Sequence, residues 1–118
     1  MPRLFYYLGT CSTCERIMKG IDLKGFALRE IKGDPITPQE LDCMKELAGS
    51  YEALFSRIAL RYRALGLNKK KLTEKDYRKH ILQEYTFLKR PVMVLDDRIF
   101  IGNAPKVVQA MAEAAAAV

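Results

Sequence analysis

The sequence predicts an α/β fold: a four-stranded mixed sheet assembled from a βαβ unit and a ββα unit, with a helical insertion between them. Three observations carry that reading. Two short apolar runs, Leu4 to Leu8 and Phe26 to Ile31, flank a stretch whose apolar residues recur at helical spacing. Two more runs, Val92 to Leu95 and Arg98 to Gly102, are separated by only Asp96-Asp97 and are followed by an alanine-rich segment. Between the pairs, residues 37 to 87 carry helix-start signals and no strand signal.

Taken in order, Leu4 to Leu8 reads as a short buried strand, and Ile17, Met18 and Ile21 mark a helix running to about Gly20. Lys24-Gly25 closes a loop into a half-buried second strand, and a strand, helix and strand of this length predict a right-handed βαβ unit. Gly33-Asp34-Pro35 is a turn. Thr37-Pro38-Gln39-Glu40 then reads as a capped helix start, with threonine as N-cap, proline at the first helical position and glutamate closing a capping box. Leu41, Met44, Leu47 and Ala48 give this helix its apolar face, and Gly49 stops it.

Tyr51 to Ser56, Leu60 to Leu67 and Thr73 to Tyr85 are expected as successive helices, the last capped by Thr73 with acidic residues in its first turn. No Pro/Gly/Ser-rich linker flanks them, so the expectation is a single domain over 1–118 with a helical insertion at about 37–87. Lys89-Arg90-Pro91 interrupts the helical pattern and leads into the hairpin around Asp96-Asp97. Ala104 to Ala117 is expected as a final helix with Asn103 as N-cap and Val107, Val108 and Met111 facing the core. Its tail from Ala112 has little to bury, so its last turns are expected to fray.

Composition narrows the function classes. The 118 residues are 29% charged and 49% hydrophobic, enough to bury roughly two thirds of the extended surface without a disulfide or metal. No window approaches the roughly 18 apolar residues of a membrane span, and the opening Met-Pro-Arg-Leu-Phe enters a strand with no room for a signal peptide, so a cytoplasmic location is expected. Three cysteines, an odd number, suit catalytic or sensing thiols in a reducing compartment. The net charge of +6 permits an anionic partner without choosing one. Its positive residues gather in Arg57 to Lys79 and at Lys89-Arg90, and read as the solvated basic face of packed helices; they include no recognition motif for nucleic acid.

The chemistry lies in Cys11-Ser12-Thr13-Cys14, where the first strand ends and the first helix begins. Free N–H groups and the helix dipole favour an anion there, so the Cys11 thiol is expected to be acidified. Cys11 is the candidate nucleophile and Cys14 the resolving thiol, since three residues across a helix start bring two sulfurs within bonding reach. Half of a zinc site and a pair of inert buried thiols are the competing readings. Zinc wants four ligands, and only Cys43 and His80 remain, neither at ligand spacing. Cys43 reads as a packed or half-exposed small side chain and His80 as a surface or cap residue. The order of elements is that of a thioredoxin-like architecture, in which a cis X-Pro bond at the head of the third strand would bring the Arg90-Pro91 backbone close to the cysteine pair.

These residues resemble the arsenate reductase (ArsC) and Spx group of thioredoxin-like proteins. The resemblance rests on the aromatic strand entering Cys11-Ser12-Thr13-Cys14, the helical middle, Leu88-Lys89-Arg90-Pro91-Val92-Met93-Val94, and Arg98-Ile99-Phe100-Ile101-Gly102 before a final helix. It implies that Cys11 attacks an oxyanion such as arsenate and that arginines bind the oxyanion and acidify the thiol. Arg90 matches the arginine that precedes the proline. A second family arginine aligns on or next to Ser56, so that Arg57 or Arg61 would take its place, and a third falls at about Asn103. The expectation is a thiol-disulfide oxidoreductase resembling arsenate reductase, with Cys11, Cys14 and Arg90 catalytic and Arg57, Arg61 and Pro91 lining the substrate. No bound cofactor or metal is implied; glutathione with glutaredoxin, or a thioredoxin, would supply electrons. The alternative is an Spx-like redox switch that binds the C-terminal domain of the RNA polymerase α subunit.

Overall fold

The computed structural model describes residues 3–118; Met1 and Pro2, with which the opening of the chain was read, lie outside the described residues. The residues up to Pro35 together with Arg90–Val118 form one compact unit, and Ile36–Lys89 form another.

The first unit holds the sheet. Its strands are β1 (Arg3–Tyr7), β2 (Ala27–Glu30), β3 (Val92–Leu95) and β4 (Arg98–Ile101), in the order β2-β1-β3-β4. β1 pairs parallel with β2 and antiparallel with β3, and β4 completes an antiparallel hairpin, so the sheet is mixed as the element order predicts. β3 is buried at all four residues, as a central strand should be. Its Met93 stands opposite Phe5 of β1, and both join Leu95, Ile17, Phe26 and Met111 in one apolar cluster. That cluster seats α1 (Ser12–Lys19) and α5 (Pro105–Ala116), with Ile17 and Met111 as their anchors. Burying a side chain of the size of Phe5 or Met111 contributes about 1.5–3 kcal/mol.

Two details of this unit differ from the sequence expectation. The N-cap of α5 is Ala104, not Asn103, because Pro105 takes the first helical position, where its fixed φ and missing N–H suit it. The alanine tail, expected to have little to bury, is helical to Ala116 and places Ala114 and Ala115 in the core cluster. At the hairpin, Asp96 takes the left-handed conformation, φ 57, which aspartate tolerates better than most residues. The Arg90-Pro91 peptide bond is cis, and the Pro91 carbonyl accepts from the Gly102 N–H at 2.8 Å.

The second unit comprises α2 (Pro38–Ala48), α3 (Leu60–Ala64) and α4 (Glu74–Gln83), joined by short 3-10 turns. α2 and α4 begin with the capping boxes expected of them, Thr37 with Glu40 and Thr73 with Asp76, and α2 ends at Gly49 in the left-handed conformation, φ 94. The helix expected over Tyr51 to Ser56 is instead a 3-10 turn, Glu52–Leu54, followed by an extended Phe55. Phe55 pairs with Leu88 in an isolated antiparallel bridge, flanked by Ser56 N–H to Phe87 O (2.7 Å) and Lys89 N–H to Leu54 O (2.8 Å). The reason is aromatic: Phe55 is fully buried, stacked on Phe87 at 5.1 Å and tilted against Tyr77 at 4.9 Å. α3 stops at Ala64 because Gly66 turns left-handed, φ 70, and α4 ends at Gln83 in a further turn, Tyr85–Phe87. Leu60 and Leu65, which marked helical periodicity in the sequence, are 90% and 44% exposed.

Candidate active site

β1 delivers the chain to a tight turn, Leu8 to Cys11, closed by the Cys11 N–H donating to Leu8 O at 3.0 Å. Cys11 is the N-cap of α1, with extended backbone (φ −94, ψ 112), and its carbonyl accepts from the Glu15 N–H at 3.1 Å. Cys14 sits in the first turn of the same helix. Cys11 is half-buried and Cys14 fully buried, and both are free thiols.

The two sulfurs interact, and their surroundings drive them apart in acidity. Burial resists ionisation of Cys11, but the Cys14 backbone N–H, the Cys14 thiol, the Thr13 N–H and the charge of Arg90 together outweigh it and hold its pKa below the ordinary cysteine value. For Cys14, burial is again the largest influence and the Cys11 thiol adds to it, while the Leu8 backbone and Arg90 oppose; its pKa is pushed up to about 11. The same turn thus favours ionisation of one thiol and opposes it at the other.

Of the residues expected at the site, the first unit brings together Cys11, Cys14 and Arg90, with buried Pro91 at the head of β3. Arg57 and Arg61 belong to the second unit. There Arg57 donates to Glu52 Oε2 at 2.6 Å and to the Tyr77 hydroxyl at 2.9 Å, and these partners raise its pKa further despite some burial. Arg61 is exposed, with Glu84 at 4.0 Å. Ser56 is buried in the same unit. Cys43 is exposed on α2 rather than packed, and half-buried His80 meets the edge of Phe87 at 5.8 Å.

Two features had no signal in the sequence. Glu30, read there only as part of the second strand, accepts from the Gly9 N–H at 2.7 Å and from the Gly33 N–H at 2.6 Å, the first a link across 21 residues that no local spacing shows. A groove of about 430 Å³ runs between α1 and the start of α5, lined by Arg16, Ile17, Asn103, Val108 and Gln109. Among the described residues, no group of three or more His, Cys, Asp or Glu could hold a metal ion, and no helix is long and apolar enough to cross a membrane.

A βαβ unit and a ββα unit sharing one mixed sheet, with a Cys-x-x-Cys at the first helix and a cis-proline before the third strand, define a thioredoxin-like protein. The profile of the ArsC family matches residues 6–111, and the chain belongs to that family. An ArsC family related protein from Bacteroides fragilis is similar in structure with a TM-score of 0.77 and 25% identity, over 94% of this chain and 98% of that one. Arsenate reductase from Vibrio cholerae matches with a TM-score of 0.74 and 19% identity, over 94% and 98%. An arsenate reductase (ArsC) related protein from Brucella melitensis matches with a TM-score of 0.70 and 20% identity, over 93% of each chain. A search of curated proteins returned no match.

Proposed function

We propose that the protein is a thiol-disulfide oxidoreductase of the arsenate reductase type, with Cys11 as nucleophile and Cys14 as resolving thiol. The observation that carries this is the placement of two free thiols at the start of one helix, Cys11 half-buried at the N-cap of α1 and Cys14 buried in its first turn. The Cys11 thiolate attacks As(V) and displaces one arsenate oxygen, which leaves as water after taking up protons. The Arg90 guanidinium offsets the oxyanion's charge. Bonding Cys11 to arsenic removes its negative charge, one of the influences beside burial that keep Cys14 protonated, and Cys14 passes its proton to an arsenic-bound oxygen. The Cys14 thiolate then attacks Cys11 Sγ; an S–S bond forms, the S–As bond breaks, and its electron pair passes to arsenic. Two thiols become a disulfide and As(V) becomes As(III). Glutathione with glutaredoxin, or a thioredoxin, supplies the two electrons that reopen the disulfide.

The same thiol pair, together with Asn103 where a family arginine would fall, also fits the second reading, an Spx-like redox switch on the RNA polymerase α subunit. An assay of arsenate reduction coupled to glutathione, glutaredoxin and NADPH separates the two. The expected result is turnover by the wild type, none by Cys11→Ser, and a loss of roughly a hundredfold for Arg90→Ala. Absence of turnover, with oxidant still producing a Cys11-Cys14 disulfide, contradicts the reductase and leaves the switch.

A further inference from the structure

We infer that Glu30 is a positioning residue for the Cys11 thiolate, acting through the backbone of the turn that precedes it. The inference rests on the reading of Cys11 as nucleophile and names a part of its machinery outside the Cys-x-x-Cys segment. Ladder pairing of β1 with β2 ends at Tyr7 opposite Glu30, and the Ile31 N–H donates to Tyr7 O at 2.9 Å. Beyond that point the Glu30 side chain links the two segments. Its Oε2 takes the Gly9 N–H and its Oε1 the Gly33 N–H, so one carboxylate ties the turn before Cys11 to the turn after β2.

Gly9, which has no side chain, and Thr10 are the exposed central residues of the Leu8–Cys11 turn, so no buried side chain holds its tip. Glu30 therefore supplies the anchor. The turn sets where the N-cap backbone stands, and the N-cap backbone sets how the Thr13 and Cys14 N–H groups meet Cys11 Sγ, two of the interactions that favour its thiolate. Both hydrogen bonds to Glu30 also favour its own ionised form, so the anchor is in place at neutral pH. A neutral amide cannot replace it, because glutamine offers one oxygen where two N–H groups need acceptors.

The test is the pH dependence of Cys11 alkylation by iodoacetamide in a Cys14→Ser, Cys43→Ser background, with and without Glu30→Gln or Glu30→Ala. For both variants the expected result is a rate profile with its midpoint at higher pH and alkylation about three- to tenfold slower at neutral pH. Thr37→Ala, which removes a helix cap in the other unit, is expected to lower thermal stability without moving the profile. A folded Glu30→Gln protein whose profile superimposes on its parent overturns the inference. A parent protein with the profile of an ordinary thiol overturns both the inference and the reading of Cys11 on which it rests. Missing arsenate turnover with the predicted alkylation shift would contradict the reductase alone.

Discussion

At Cys11 and Cys14 one helix turn treats two identical side chains in opposite ways. The difference lies in depth and donors: Cys11 meets two backbone N–H groups and the charge of Arg90, while Cys14 lies fully buried behind it. Placing a cysteine pair at a strand-to-helix junction was legible in the sequence. The anchoring of that junction by Glu30 was not, since hydrogen bonds across 21 residues leave no periodicity. In the second unit, Asp42 shows the same dependence on neighbours. Its carboxylate accepts from Arg78 Nε at 2.8 Å and from the Tyr51 hydroxyl at 2.6 Å. With Arg78 as the largest influence, then Tyr51, and with Lys45 also nearby, its pKa falls from 3.8 to about 2. A depressed carboxyl pKa stabilises the fold fully above its unfolded value, and the contribution is lost as pH falls from 3.8 through about 2. Urea unfolding at neutral pH and near pH 2 should therefore show a smaller acid loss in Asp42→Asn than in the wild type; equal losses would contradict this assignment.

Elements whose signals are local were readable. The capping boxes of α2 and α4, the glycine stop of α2 and the two-residue hairpin between β3 and β4 each depend on residues within a few positions of one another. The segment around Phe55 was misread as helix because its conformation is decided by Phe87 and Leu88, over thirty residues away, and by a ring that needs Tyr77 and Phe87 as neighbours. The first helical residue of α5 was misplaced through reliance on Asn103 as a cap when Pro105 governs the register. If the bridge at Phe55 organises the second unit, Phe55→Ala should cost about 3–5 kcal/mol in a denaturant titration, the range for a buried aromatic ring. A loss near that of a surface substitution would mean the ring cluster carries little of the stability.

Over the whole molecule, the alternation of elements and the cysteine motif were enough to read a thioredoxin-like protein, and membership of the ArsC family agrees. Net charge was a weaker guide. The sequence carries +6, but some of its cations are engaged internally, Arg57 with Glu52 and Arg78 with Asp42, so a count of positive residues overstates what is offered to an anion. The proposed reductase carries within itself both thiols needed to reduce an oxyanion. Its most direct measurement is a single turnover: fully reduced protein mixed with arsenate, with no external thiol, followed by quantitation of arsenite and of free thiols. About one arsenite per chain is expected, with the loss of two thiols as a Cys11-Cys14 disulfide, and Cys14→Ser is expected to release no arsenite. An unchanged thiol count with no arsenite formed would contradict it.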